Sequence, residues 1–411
     1  MWNLIKYEWR RIWGGKLTKL SVLGCGLCIL FFVFSSISQL SVIDQNGNGY
    51  SGVKAAGILK DSREKQLLSQ TRIEDIMAEY LAYTKNSGTN SQVEKYQFLS
   101  EKMYRTYYLP NRDLFTLIAT NYESFGDNRS LKETYEENIG KDFYKARSER
   151  TEQWLNIKVN QQLLTEKEKE YWLEKDSKVG IYEYGNFKGW RSILDSTSWL
   201  VLIMIVICIG IAPVFAGEYQ TKTDSLLLSM RYGKNKLIKA KIITSILYTS
   251  ILYWGITIGY SLIYFMVLGT QGGGLPIQLY DNSYPISYPM MMNQAVILFI
   301  IVGYLATLCI MSVTLFMSAV FKNPYAVIIA AFLFIIIPSF LYFNMGGYLW
   351  QHLLALIPSK IIEFKFNDYI TYSFENFMLN RPMMMSILYL IVIPILLSIA
   401  NHKFKTHEVN S

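Results

Sequence analysis

Six apolar runs, each about the length that an α-helix needs to cross a bilayer, constrain this chain more than any other feature. They lie near Leu20–Ile43, Ser196–Ala216, Ile243–Leu268, Gln294–Val320, Tyr325–Asn344 and Met383–Ala400. Half of the 411 residues are hydrophobic, and runs this long exceed what a soluble core requires. The expected fold is an all-α polytopic membrane protein with six transmembrane helices. The net charge of +8 gives the orientation. With the first residues inside, segments 1–19, 217–242, 321–324 and 401–411 hold 14 basic and 4 acidic residues, and the remainder holds 26 basic and 28 acidic. The positive excess therefore lies on one side, which puts both termini in the cytoplasm of a multi-pass cell-membrane protein. Basic charge distributed this way reports topology and contact with anionic membrane lipids, not nucleic acid.

Residues 217–242 form the most basic of these segments. Lys222, Arg231, Lys234, Lys236, Lys239 and Lys241 stand there against Glu218 and Asp224. Within it Thr223, Leu226, Leu227 and Met230 recur at helical spacing, and Gly233 offers a stop. Two readings stand: a short helix that docks another protein, or an interfacial helix that lies on the bilayer and turns the chain. Residues 1–19 read as a basic, aromatic interfacial helix broken at Gly14-Gly15, with transmembrane helix 1 following over 20–43. That apolar run is too long for the hydrophobic region of a cleaved signal peptide. Helices 2–6 fill 196–400, and 401–411 is a cytoplasmic tail.

Between the first two spans, residues 44–192 change character. Charge is dense and balanced, with 23 basic and 23 acidic residues between Asp44 and Arg191, as suits an extracellular domain. Its helical patterns are Ile73–Tyr83, Val93–Tyr108 ending before Pro110, and one or two helices within Leu131–Asp176. The domain is thus mainly helical. Its Tyr-rich faces either form its core or bind a peptide or lipid head group. Residues Tyr348–Ile362, interrupted by Pro358, read as an exterior interfacial or re-entrant helix.

The third run is unusually polar. Tyr248, Thr249, Tyr253, Thr257 and Tyr260 either bond neighbouring helices or line a polar path, and helix packing is the default. Cys25, Cys28, Cys208 and Cys309 all fall within spans, as buried packing residues rather than metal ligands. The spans carry no clear intramembrane charge of the kind ion-coupled transport uses. His352, His402 and His407 form no metal motif, and no phosphate-binding loop of the GxxxxGK[ST] type occurs. Any use of ATP must then come through another chain.

Glu218-Tyr-Gln-Thr-Lys222-Thr223-Asp-Ser-Leu226-Leu-Leu-Ser229, followed by Arg231 and then Lys239 at the start of the next span, resembles the cytoplasmic loop of ABC-2 type transporter permeases. The six-span layout and the helix LIKYEWRRIW extend the resemblance over the membrane part. The loop lacks the proline frequent there, and the exterior domain is larger than in compact exporters. The resemblance implies the permease subunit of a bacterial ABC exporter in the cell membrane. Such a subunit is not itself an enzyme and binds no cofactor directly. It pairs with a second permease copy or a homologous permease, and with ABC ATP-binding subunits that carry ATP and Mg. Glu218, Thr223, Leu226, Leu227, Leu228, Ser229 and Met230 would then couple to the ATPase, with Arg231, Lys234 and Lys239 on the rim. The substrate is a peptide, antibiotic, lipid or ion. The alternative is a non-transporting sensor coupled to an ATPase through the same loop.

Overall fold

The computed structural model describes all residues except 45, 62–64, 86–98, 128, 230–232, 376 and 407–411, and describes only the backbone at 225, 227, 228, 234 and 344. The beginning of the helix read from Val93 falls on undescribed residues. Among the described residues five helices are long and apolar enough to cross a membrane: Lys16–Ser38, Trp199–Gln220, Asn235–Leu268, Met292–Val320 and Arg381–Lys405. The chain is an all-α polytopic membrane protein.

Helix α1 (Trp2–Gly14) ends at an extended Gly15, where α2 (Lys16–Ser38) begins. Strands β1 (Ser41–Ile43) and β2 (Gly49–Ser51) form a hairpin that leads into α3 (Gly52–Asp61). There follow β3 (Gln66–Leu67), α4 (Gln70–Lys85), a short α5 (Glu101–Met103), a π-turn at Tyr104–Tyr108 and α6 (Leu109–Tyr122). Pro110 does not stop this run, contrary to the sequence reading. It sits in the first turn of α6, where its missing N–H costs little, and the wider π-turn before it takes up the change of register. The stretch read as one or two helices is three: α7 (Leu131–Asn138), α8 (Phe143–Asn160) and α9 (Glu166–Asp176). Ser130 with Glu133, and Thr165 with Glu168, close reciprocal capping boxes that start α7 and α9. Strand β4 (Glu183–Tyr184) pairs with β3, and α10 (Lys188–Asp195) follows.

The second span is α11 (Trp199–Ile211) continued by α12 (Pro213–Gln220), with Pro213 in the first turn of the second piece. A six-residue helix α13 (Asp224–Ser229) precedes α14 (Ile238–Leu268). Helix α15 (Met292–Val320) turns at Phe321–Asn323 into α16 (Pro324–Ile336), whose start is capped by the Asn323 side chain. The apolar run expected to span as far as Asn344 ends instead at Phe340, because Pro338 breaks the helical ladder and the last four residues tighten into a 3₁₀ turn. Helix α17 (Gly347–Ala355), a 3₁₀ turn at Pro358–Glu363 and the hairpin of β5 (Thr371–Ser373) with β6 (Met378–Asn380) lead to α18 (Arg381–Lys405).

The core of the bundle is α11, α14, α15 and α18. Tyr253 donates to the Ile300 carbonyl at 2.6 Å, and Gly303 leaves room for its ring, since a Cβ there would stand 2.9 Å from the phenol oxygen. Tyr248 sits equally close to Gly210, where a Cβ would come within 2.5 Å of its oxygen. By contrast, α2 and α16 leave wide apolar faces exposed, including Leu23, Leu27, Phe31, Ile329 and Phe332.

Connectivity gives the bundle two ends. One carries α1, the loop around α13 and the turn at Phe321–Asn323. The other carries the insertion between α2 and α11, which is bonded to the end of α14, to the segment before α15 and to the segment between α17 and α18. Trp172 donates to the Tyr369 carbonyl and to Thr371 Oγ1, Arg150 to the Ser283 carbonyl, and Lys60 to the Met266 carbonyl.

Candidate functional site at the loop end of the bundle

Glu8 is the single acid of a basic, aromatic helix, and Lys241 is the last cation before the third span becomes apolar. The fold brings them together with Glu218 from the end of α12. Lys241 Nζ donates to Glu218 Oε1 at 2.7 Å and to Glu8 Oε2 at 3.0 Å, and its side chain is wholly buried. Arg11 closes on the same Glu218 oxygen, and the second Glu218 oxygen accepts from the Thr223 hydroxyl at 2.7 Å. Burial by itself would lower the Arg11 guanidinium, but the hydrogen bond and charge of Glu218 outweigh it and hold the group above its ordinary value. One carboxylate thus ties three elements, α1, α12 and α14, to the first residue of the loop.

A charged group at this depth is costly unless it is paired, and pairs in low dielectric interact strongly. The network is therefore a joint: removing any one charge strands the others. Within residues 217–242, read as one cytoplasmic segment, α12 runs to Gln220 and the next long apolar helix begins at Asn235. The short helix expected here is described over Asp224–Ser229, and Lys222, left-handed at φ 54°, precedes its start.

The residues assigned to the loop by sequence separate accordingly. Glu218 is buried and faces inward, so its carboxylate is occupied within the chain. Thr223 stands at the surface and bonds back to Glu218. Leu226 is 60% exposed, and Ser229 and Lys239 are exposed. Met230 and Arg231 lie outside the described residues, as do the side chains of Leu227, Leu228 and Lys234. Sequence reasoning did not single out Glu8 or Arg11, and it read Lys241 only as one of the basic residues of segment 217–242. The signal was a lone acid among bases at one end and a lysine inside an apolar helix at the other.

Tyr248, Thr249, Tyr253, Thr257 and Tyr260 are all buried against neighbouring helices. Tyr253 and Tyr260 donate to backbone carbonyls, of Ile300 and Ser196, whereas the hydroxyls of Tyr248 and Thr249 meet no partner among the described residues. Among the described residues no group of three or more His, Cys, Asp or Glu side chains converges as a metal site.

No curated protein and no solved structure matches this chain. The family described as ABC-2 family transporter protein matches residues 20–401, which spans every helix from the first apolar run to the last. With nearly the whole membrane bundle covered, the chain belongs to the ABC-2 transporter family.

Proposed function

We propose that this chain is the permease subunit of an ATP-driven bacterial exporter, with both termini and the loop around α13 in the cytoplasm and residues 44–192 as an extracellular domain. In this reading α16 serves as the sixth span. A second permease copy or a homologous permease completes the pathway, and separate ABC ATP-binding subunits supply ATP and Mg. The observation that carries the proposal is the exposed Leu226 on a short helix placed directly beside the buried network of Glu8, Arg11, Glu218 and Lys241. A partner pressing on that helix pushes on α1, α12 and α14 together, because the network joins them. Leu226 and the neighbouring Leu227, Leu228, Ser229 and Met230 supply the contact, with Arg231, Lys234 and Lys239 on its rim. The unpartnered hydroxyls of Tyr248 and Thr249 favour a second arrangement of the bundle, in which this stripe meets a substrate or water.

The test is reconstitution with the ATPase subunits in lipid vesicles. Leu226→Asp is expected to abolish ATPase association while the permease still folds. Uptake of candidate peptides, antibiotics, lipids or ions driven by ATP supports export. ATP turnover without movement of any of these sinks export in favour of a sensor coupled through the same loop.

A further inference from the structure

A cleft of about 570 Å³ opens in the inserted domain, a volume within the range of sites that enclose small organic ligands. Two stripes of side chains line it. On α4, Arg72, Ile76 and Glu79 recur at i, i+4 and i+7 and so share one face. On the π-turn and α6, Tyr107, Asn111 and Leu114 repeat that spacing. Ile76 and Leu114 are buried at its base, whereas Arg72 and Glu79 are exposed at its edge.

The other charges of the rim are matched: Lys188 pairs with Asp113 at 3.0 Å, and Lys65 with Glu183 at 3.5 Å. Among the described residues Arg72 meets no carboxylate and Glu79 no cation. Arg72 gives its Nε–H to Gln66 Oε1 at 3.3 Å, and Glu79 has the Tyr107 hydroxyl beside it. Burial first, and then the charge of Glu79, raise that hydroxyl above its ordinary value, so it stays a donor. Asn111 donates its amide N–H to the Tyr107 carbonyl at 2.9 Å, which leaves its amide oxygen to accept. One wall thus offers a cation, an apolar contact and an anion in line, and the other offers a backbone-like acceptor.

We infer that this cleft binds a short zwitterionic peptide of about three residues, with its carboxylate on Arg72, its amine on Glu79 and its middle side chain over Ile76 and Leu114. The spacing selects that guest. Seven residues of helix set the two charges about 10 Å apart. Three extended residues, at about 3.3–3.6 Å each, cover the same distance. A phosphoethanolamine head group also carries both charges, but a single ethylene group separates them, far short of that span. The cleft adjoins the bundle as well: Asn186, which lines it, donates to the Leu59 carbonyl, and Lys60 donates to the Met266 carbonyl of α14. The inference does not rest on the export reading.

Calorimetry on the full-length chain in detergent, without ATPase subunits, tests it, with glycyl-leucyl-glycine as the probe. Saturable binding is expected, about fivefold weaker when the peptide's carboxyl end is amidated and about fivefold weaker when its amine is acetylated. Arg72→Gln should remove the penalty for amidation and keep that for acetylation, and Glu79→Gln should do the reverse. Both positions are exposed, so neither change disturbs the domain's core. No saturable binding of the probe, or penalties that both variants leave in place, overturns the assignment. Displacement of the probe by glycerophosphoethanolamine overturns it in favour of a lipid head group.

Discussion

The two ends of the bundle bury ion pairs by different means. At the loop end Lys241 is shared by two carboxylates, and each carboxylate comes from a separate element. The charges that join α1, α12 and α14 there meet one another through side-chain atoms. At the domain end the cations also take backbone oxygens: Arg381 pairs with Asp368 and donates to the Lys360 and Ala355 carbonyls, and Arg147 pairs with Asp176 at 2.7 Å while donating to the Asp176 carbonyl. A joint made of side chains lets whole helices shift and repair, whereas a cation seated on carbonyls fixes the path of the chain itself. Adjustable coupling at one end and a set frame at the other is the lesson of the pair.

That contrast breaks most readily at Lys241. Lys241→Met strands Glu8 and Glu218 beside one partly exposed arginine, and a loss of about 3–5 kcal/mol is expected, read as a fall in the thermal midpoint in detergent. Adding Glu8→Gln should restore part of it, and full stability of the single variant would show that the network carries nothing. At the other end, Arg381→Met should cost about 3 kcal/mol, but Asp368→Asn clearly less, because the carbonyl bonds of Arg381 survive it. Equal losses from both variants would erase the proposed difference between the ends. Between the two ends, Gly210→Ala drives a methyl into Tyr248 and should cost about 1–3 kcal/mol, relieved by shortening Tyr248 to Leu. The smallest effect lies in the domain, at the start of α7. The Ser130 amide and hydroxyl hold the Glu133 carboxyl below its usual range. A depressed carboxyl stabilises above its unfolded value, so protection of the first turn of α7 is lost as pH falls through the lowered one. Amide exchange corrected for intrinsic rates reads this; Ser130→Ala, which keeps the amide, should weaken the pH dependence, and Glu133→Gln should remove it.

Much of this architecture was legible because its causes are local. The apolar runs marked all five long spans, Gly14-Gly15 marked the break after α1, and Asn323-Pro324 marked the start of α16. The three helices between Leu131 and Asp176 could have been separated by their caps, since Ser130 and Glu133, and Thr165 and Glu168, have the required spacing. Pro110 misled because a proline reads as a stop unless a π-turn precedes it, and nothing in the local pattern announces one. The loop-end network was invisible for a different reason. Glu8 and Lys241 lie 233 residues apart, and only the packing of α1 against α14 makes the lone acid and the lone lysine into partners. Glu218 was found by its place in the loop, but the direction its carboxylate takes depends on those two residues.

Tyr248 against Gly210 and Tyr253 against Gly303 have a mechanical consequence. They act as two teeth on one shaft, engaging a different neighbour on each side little more than one helical turn apart. Advancing α14 by a single residue, about 1.5 Å, would drive each ring toward a residue that has a side chain in the way. A piston stroke is therefore blocked in both directions.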